Sequence, residues 1–179
     1  MDIGTSGTRM HAVDLKSGQI ISTAMTVRHP VPGANVMDHL TFCIEVDQNL
    51  ANKLMIETIN KLLAIMEIDI SKVERMAVCG NPIQLSIFQN MEIRDLAFAG
   101  ERALKVRGVE PQKRDAKVLN SDDVGIDLAK NAEIYVPPSI KHEIGADALA
   151  MMYQTGLLER KENCLVTDYG TNAEMALKV

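Results

Sequence analysis

The chain has 179 residues, 46% of them apolar and 24% charged, which is the composition of an ordinary globular domain and excludes a disordered chain. A formal net charge of −5 argues against a broad surface for nucleic acid or anionic membrane, and no apolar run is long enough to cross a bilayer. The N-terminus lacks the pattern of a signal peptide, so we expect a cytoplasmic protein.

The N-terminal part of the chain predicts a β-hairpin followed by a loop. Extended runs cover Thr8–Val13 and Gln19–Val27, and a polar turn that contains Gly18 joins them. Asp2 stands where a buried strand would end, yet almost nothing precedes it, so we expect a fragment whose first strand is largely missing. Residues 29–39 are rich in Pro and Gly and predict a loop, and the pattern leaves Asp38–Val46 undecided.

The next segment predicts a long helix, a strand and a short helix. Apolar residues keep helical spacing from Asn49 to Glu67, with Asp47 or Asn49 as the cap. Val73–Cys79 predicts a short buried strand that ends at Gly80-Asn81-Pro82. Pro82 suits the first turn of a helix that reaches about Gln89.

The second half of the chain begins with charges and helix breakers between Glu101 and Lys130, which predict a surface excursion with short strands. Three further elements follow: a strand over Ala132–Val136, a helix over Gly145–Tyr153, and a strand pair over Cys164–Thr167 and Ala173–Val179. The sequence therefore predicts an alternation of strands and helices throughout.

The cysteines and histidines do not predict a metal site. Cys43, Cys79 and Cys164 are odd in number and widely spaced, so we expect reduced, buried thiols without a disulfide, zinc or iron–sulfur site. The histidines lack metal-ligand spacing and receive no role; they are His11, His29, His39 and His142.

Two turns share the order acidic residue, any residue, Gly, Thr: DIGTSGT at Asp2–Thr8 and TDYGTNA at Thr167–Ala173. Glycines let a backbone approach phosphate, turn N–H groups and hydroxyls donate to its oxygens, and an Asp at a strand end orients Mg²⁺ or its waters. Either turn alone is explained as an ordinary hairpin turn, because Asp, Gly, Thr and Asn are the usual turn residues. The pair, with the intervening elements in order, favours a nucleotide site.

The candidate site follows from these turns. The predicted catalytic and metal-positioning residues are Asp2 and Asp168. The predicted phosphate-binding residues are Gly4, Thr5, Ser6, Gly7, Thr8, Asn81, Gly170, Thr171 and Asn172. Asn81 is explained equally well by a phosphate contact or by a helix cap. Glu143 and Asp147 border the helix of small residues and could help to order a water, but favourable charge at a helix N-terminus already explains them.

These motifs resemble the acetate and sugar kinase, Hsc70 and actin superfamily, in which each of two related domains contributes one phosphate hairpin. DIGTSGT resembles the first phosphate motif, and IYVPPSIKHEIGADALAMMYQTGLLERKENCLVTDYGTNAEMAL resembles the strand, connecting helix and second phosphate motif. The resemblance implies an α/β, ribonuclease-H-like (actin-like ATPase) domain with a central mixed sheet flanked by helices. It also implies a first subdomain over residues 1–160 and the first strand-turn-strand of a second over 161–179, with the remainder missing.

Within the superfamily the likeness is greatest to the ATP-dependent reductive activators of corrinoid proteins, with methanogenesis marker protein 14 as a further likeness. DIGT, an AGNTT-like segment (here Cys79–Ile83), a GADALA-like helix and DxGTN recur there. The likeness implies that ATP binding or hydrolysis is coupled to reduction of an inactive cobalt(II) corrinoid. The expected cofactors are ATP and Mg²⁺. Because the chain has no cysteine cluster, the electron-handling iron–sulfur part is expected to be either absent or in a domain outside this chain.

The resemblance also implies a corrinoid protein or another protein client as partner, whereas nucleic acid and membrane are not expected and a homodimer is left open. Because the family's adenosine-binding segment lies downstream of the second hairpin, we expect the ATPase in the intact protein and weak or no ATP binding by the fragment. Two alternatives remain. A sugar or acyl kinase would need an acceptor pocket and a general base that the sequence does not reveal, and an actin-like scaffold would bind nucleotide without catalysis.

Overall fold

The computed structural model describes residues 1–98, 100–139, 144–170 and 173–179. The strands are β1 Asp2–Ile3, β2 Thr8–Val13, β3 Ile20–Met25, β4 Arg75–Ala77, β5 Cys79–Gly80, β6 Lys117–Asn120, β7 Glu133–Val136, β8 Cys164–Tyr169 and β9 Ala173–Lys178. The α-helices are α1 Val36–Phe42, α2 Gln48–Ile65, α3 Pro82–Phe88, α4 Arg94–Ala97, α5 Glu101–Val106, α6 Ser121–Val124 and α7 Ala146–Gln154.

One extended run, Arg75–Gly80, holds the central sheet together. Its first half, β4, pairs parallel with β7, and its second half, β5, pairs parallel with β1. At the junction the Val78 amide donates to the Tyr135 carbonyl at 2.9 Å and the Cys79 amide to the Met1 carbonyl at 2.9 Å. The run therefore joins two sheets, one with the strand order β3, β2, β1, β5 and the other with the order β4, β7, β6. In each sheet one strand, β2 or β6, is antiparallel to its neighbours, so both sheets are mixed. The predicted α/β fold with a central mixed sheet and flanking helices is confirmed.

The predicted hairpin is confirmed as β2 and β3. The Asp14 carboxylate accepts from the Lys16 amide at 2.7 Å within the turn, as expected of an Asp that begins a tight turn. The pairing shifts between Ala12 and Val13, so that Ile21 is an extra residue on β3.

The predicted loop over residues 29–39 is wrong in its last part, because α1 already begins at Val36. The Asn35 side chain accepts from the amides of Met37 and Asp38, and this cap starts the helix that the Pro and Gly content concealed. The undecided segment is helical as well, since a π-helical stretch over Cys43–Asp47 leads into α2.

The core forms where α2 packs on the sheet. Asp47 caps this helix by accepting from the Asn49 amide at 2.7 Å, which confirms one of the two predicted caps. Its buried side chains fall on one stripe: Ala51, Met55, Ile59, Leu62 and Leu63. They join buried strand residues that include Ile3, Met10 and Val78 in one apolar cluster.

The helix α3 is buried along its whole length, from Pro82 to Phe88. Asn81 caps it and Pro82 occupies its first turn, as the sequence predicts. Because this helix starts directly at the end of β5, its N-terminus opens beside the turn that follows β1.

The predicted surface excursion between Glu101 and Lys130 is wrong for several buried residues, of which Arg114 is the charged one. Its guanidinium donates to both Asp95 carboxylate oxygens, at 2.7 and 2.8 Å, and its Nε donates to the Ser86 hydroxyl at 2.9 Å. Both charged side chains are about 95% buried. A bidentate pair satisfies the guanidinium geometrically, which allows a charged residue in the interior where composition alone predicts a surface position.

The chain continues through β7 and α7 to the hairpin of β8 and β9, and all four elements occur where the sequence predicts them. In the described part of the chain the three thiols are free; Cys43 is buried, as expected, whereas Cys79 and Cys164 are only half-buried. Over the same residues, no helix combines the length and apolarity required to span a bilayer.

Candidate functional site

An open cleft of about 530 Å³ lies where the turn after β1, the start of α3 and the β8–β9 hairpin meet. The predicted site residues that line it are Asp2, Gly4, Thr5, Ser6, Gly7, Thr8, Asn81, Asp168 and Gly170. Thr171 and Asn172, together with Glu143, lie outside the described residues. The structure thus brings the described residues of both acidic-Gly-Thr turns, Asp2–Thr8 and Asp168–Gly170, to one cleft although they lie at opposite ends of the sequence.

The first turn is closed by its own backbone and held from behind by Thr26. The Gly4 amide donates to the Gly7 carbonyl at 3.0 Å. The Thr8 amide donates to the Thr26 hydroxyl at 2.8 Å, and the Thr26 amide returns a bond to the Thr8 carbonyl at 2.9 Å. A Cβ at Gly7 would lie 2.8 Å from the Thr26 hydroxyl oxygen, so glycine is required there for packing, in addition to any approach of a ligand.

Asn81 is confirmed as the helix cap, whereas its phosphate contact stays a prediction. Its side-chain oxygen accepts from the amides of Ile83 at 3.1 Å and Gln84 at 3.0 Å, which caps α3. Its side-chain nitrogen donates to the Thr5 hydroxyl at 3.4 Å. The cap therefore leaves the amide NH₂ group facing the first turn.

The helix α7 connects the two parts of the cleft, because it starts beside the end of β5 and leads to the β8–β9 hairpin. Gly145 lies so close to the end of β5 that a Cβ there would be 2.8 Å from the Asn81 Cα and 2.9 Å from the Gly80 carbonyl oxygen. Beyond the helix, the Lys178 ammonium donates to the Leu158 carbonyl at 2.7 Å and ties β9 to the 3₁₀ turn Leu157–Glu159. In the hairpin Asp168 is paired across from Glu174, so both carboxylates reach the cleft.

Burial and repulsion from neighbouring carboxylates raise the pKa values of three carboxyl groups in the cleft. The Asp2 side chain is open to the cleft, yet the surrounding walls reduce its hydration and raise its pKa, to which Asp147 and Asp168 add repulsion while Arg9 opposes the shift. Burial also raises the pKa of Asp147 and of Glu174, and Asp168 adds repulsion to both. An excess of negative charge therefore faces the cleft.

Sequence reasoning assigned no role in the site to three charged residues of this cleft: Arg9, Asp147 and Glu174. Arg9 is paired across from Asp2 in the β1–β2 ladder, a register that hairpin geometry alone could have revealed. Asp147 was assigned to helix stabilisation, whereas it lies in the cleft at the first turn of α7.

The carboxylates do not form a closed metal cage. Among the residues whose placement is described, no group of three or more His, Cys, Asp or Glu side chains could hold a metal ion directly. One carboxylate oxygen of Glu174 is buried and has no hydrogen-bond partner within that set. Mg²⁺ commonly keeps several waters and takes only one or two carboxylates beside phosphate oxygens, so this donor set fits a cation held largely through water and ligand.

Comparisons with known proteins agree with this architecture. Residues 1–160 match the protein family described as the RACo middle region. The chain is 56% identical over 180 aligned positions to the Co(II) methylated amine-specific corrinoid protein reductase of Methanosarcina barkeri, covering 100% of this chain and 33% of that protein. The chain thus spans about a third of the length of the curated relative that it matches.

A solved structure of a reductive activator for corrinoid, iron–sulfur protein superposes with a TM-score of 0.84 over 98% of this chain and 28% of that chain. The sequence identity of 22% makes this a likeness of fold, which is consistent with the expected actin-like ATPase fold. Neither of these two relatives is methanogenesis marker protein 14, so that likeness stays a prediction. Because the family match covers most of its length, the chain belongs to the RACo middle region family.

Proposed function

We propose that this chain forms the phosphate-holding part of an ATP site that drives the reductive activation of a corrinoid protein. The observation that carries the proposal is the convergence of Asp2–Thr8 and Asp168–Gly170 on one cleft. Two unrelated hairpin turns have no physical reason to lie together. Two turns that hold the phosphates of one nucleotide, in contrast, must border the same site.

The first turn supplies hydrogen-bond donors for phosphate. Its hydroxyls include those of Thr5 and Ser6, which line the cleft, and that of Thr8. The Thr8 hydroxyl oxygen is buried and has no partner among the described residues, so a phosphate oxygen would satisfy it. Backbone N–H groups of a tight turn add further positive potential at no cost in reorganisation.

Asp2 and Asp168 are the proposed residues that hold Mg²⁺, through its waters and together with the phosphate oxygens. When bound, the cation supplies the positive charge that lets a polyphosphate enter an acidic cleft. Without it, the carboxylates of Asp2, Asp147, Asp168 and Glu174 would repel the ligand, with Arg9 as a partial counter-charge. The site therefore calls for a metal-bound nucleotide rather than the free anion.

Asp147 is the proposed residue that orients a water for hydrolysis. It lies in the same cleft as both turns, and its raised pKa makes it a better proton acceptor than an ordinary aspartate. Catalysis would consist mainly of placement and charge neutralisation.

The coupling to a corrinoid protein rests on family membership and on the 56% identity to the corrinoid protein reductase of Methanosarcina barkeri. We place the chain in the acetate and sugar kinase, Hsc70 and actin superfamily and in the cytoplasm as part of the same proposal. Electrons would come from an iron–sulfur cluster outside this chain. A homodimer and the division into residues 1–160 and 161–179 stay predictions.

The experiment compares the intact protein with its Asp2→Asn and Asp168→Asn variants, and uses Asp123→Asn, an exposed residue of α6, as the matched control. Calorimetry measures Mg-ATP binding, and the visible spectrum follows Mg-ATP-dependent reduction of a cobalt(II) corrinoid protein. Both site variants should lose binding or turnover while the control keeps them. Normal turnover in both site variants would refute the site; phosphorylation of a metabolite would indicate a kinase, and nucleotide-dependent sedimentation a scaffold.

A further inference from the structure

A buried polar cluster of His29, His39 and Gln84 lies behind the first turn, and nothing in the proposed reaction uses it. His39 and Gln84 are fully buried, and the His39 Nδ1 lies 2.8 Å from the Gln84 side-chain nitrogen. The rings of His29 and His39 stack with centroids 4.0 Å apart and planes inclined by 21°. The Val31 amide donates to the His29 Nδ1 at 3.1 Å, which orients the outer ring.

The cluster completes a closed ring of contacts that starts at Thr8, at one end of the first turn, and returns to the same turn at Thr5. From Thr8 the ring passes through the Thr26 hydroxyl at 2.8 Å and along three residues of backbone to His29. From the stacked histidines it passes to the Gln84 side chain, and the Gln84 backbone amide donates to the Asn81 side-chain oxygen at 3.0 Å. Asn81 then donates to the Thr5 hydroxyl at 3.4 Å and returns to the turn.

This polar arrangement is costly in a protein interior. The second nitrogens of both histidines and the side-chain oxygen of Gln84 are buried without a hydrogen-bond partner in the described structure. A trio of apolar side chains of similar volume would fill the space without that cost. Directional hydrogen bonds and a ring stack do, however, hold α1, α3 and the segment after β3 in one relative orientation, which apolar packing specifies less sharply.

We propose that His39 is a positioning residue for the first phosphate turn: with His29 and Gln84 it closes a ring of contacts that fixes Thr5 and Thr8 relative to each other. This inference rests on the proposed ATP site. It assigns to the cluster an effect on nucleotide affinity beyond its effect on stability, because a small displacement of the turn misplaces several donors at once.

The test uses three variants of the intact protein. His39→Leu removes the bond to Gln84, whereas His39→Asn keeps a polar atom close to the position of the ring Nδ1. Ile134→Ala is the control, because Ile134 is fully buried on β7, which the β4–β5 run separates from β1. Mg-ATP affinity is measured by calorimetry under conditions where all variants are folded, and amide exchange of residues 5–8 is measured without nucleotide.

We expect His39→Leu to weaken Mg-ATP binding roughly five- to tenfold and to accelerate amide exchange in the turn. His39→Asn should restore both, and Ile134→Ala should lower stability without changing either. The positioning role alone is overturned if His39→Leu binds Mg-ATP as tightly as the wild type. It is also overturned if Ile134→Ala loses as much Mg-ATP affinity as His39→Leu does. Absence of ATP binding by the wild type overturns the proposed function, and with it the nucleotide role of the ring, whatever the exchange rates show.

Discussion

Asn81 and Thr5 are joined by a hydrogen bond of 3.4 Å from the Asn81 side-chain nitrogen to the Thr5 hydroxyl. Because the oxygen of the same Asn81 amide caps α3, one side chain couples the start of a buried helix to the turn that follows β1. A change at Asn81 therefore has a structural and a ligand-binding consequence that can be measured separately.

Asn81→Ala removes the cap and the donor, whereas Asn81→Asp keeps the cap acceptor and loses the donor. We expect Asn81→Ala to lower the free energy of unfolding by about 1 kcal/mol, as loss of a cap does. Both variants should weaken Mg-ATP binding. Asn81→Asp should weaken it more strongly, because it adds negative charge beside the phosphates. Asp47→Ala, which removes the cap of α2, is the control: urea unfolding should show a similar loss of stability, and calorimetry unchanged affinity.

Asp147→Asn should stabilise the unliganded protein while it abolishes ATP turnover. Burial raises the pKa of Asp147 in the folded state, so at neutral pH the charged carboxylate is less favourable there than in the unfolded chain. Removal of the charge should raise the free energy of unfolding by up to about 1 kcal/mol, since solvent screens part of the effect. Thermal unfolding at pH 7.5 measures this gain. The gain should shrink as the pH falls through the raised pKa of the folded state and vanish only below the unfolded value of about 3.9. A loss of stability at pH 7.5 would contradict the assignment.

The His29–His39 stack should make the protein sensitive to mild acid. Burial lowers the pKa of His29 to about 4, with repulsion from His39 as the second cause, and burial also lowers the pKa of His39. Because an unfolded histidine titrates near 6.5, the unfolded state binds more protons below that pH, and stability is lost as the pH falls toward 4.

The size of this loss is isolated by comparison with His29→Phe. At pH 4.5 the His29 contribution should be about 2 kcal/mol smaller than at pH 7, after allowance for partial exposure. Urea titrations at both pH values measure the free energy of unfolding of the wild type and of the variant. The difference between the two proteins cancels the contribution of the cleft carboxylates, whose dependence on pH has the opposite sign. A difference that does not change with pH would show that the stack is not neutral in the folded protein.

Arg114→Met should be one of the most destabilising single changes outside the cleft. It leaves the Asp95 carboxylate buried and unpaired, which costs about 3–5 kcal/mol. The double variant Arg114→Met with Asp95→Leu should recover most of that loss, because both charges are removed together. Arg94→Gln breaks the largely exposed pair with Glu92 and should cost less than about 1 kcal/mol in the same urea titration.

Gly80→Ala should be far more damaging than Gly18→Ala, although both glycines have positive φ. Gly80 has φ of 155° and a Cβ there would lie 2.7 Å from the Ile3 carbonyl oxygen, whereas Gly18, with φ of 72°, has nothing within 4 Å. We expect Gly18→Ala to lower the free energy of unfolding by about 1 kcal/mol, from backbone strain alone. Gly80→Ala should lower it by at least about 3 kcal/mol, because the new Cβ adds a clash that pushes β5 away from β1. Similar melting temperatures for the two variants would contradict this view of the β1–β5 contact.

The elements with strong local signals could be predicted from the sequence. Asp47 and Pro82 mark helix starts, and apolar periodicity marks α2, because capping and amphipathic burial act within a few residues of chain. The start of α1 could not be predicted so readily, since the Asn35 cap follows a stretch of Pro and Gly whose signal predicts a loop.

The sequence alone determined the elements with strong local signals, which are the β2–β3 hairpin, α2, α3, β7, α7 and the β8–β9 hairpin. It also revealed the two acidic-Gly-Thr turns, because capping, apolar periodicity and turn chemistry depend on nearby residues. Only the tertiary structure decided that Asp147 belongs to the cleft, that Arg114 is buried, and that His29 stacks on His39. Those relationships join residues that are distant in the chain. They depend on how α7 packs against Gly80 and how α1 packs against α3, and a pattern read along one dimension does not contain that packing.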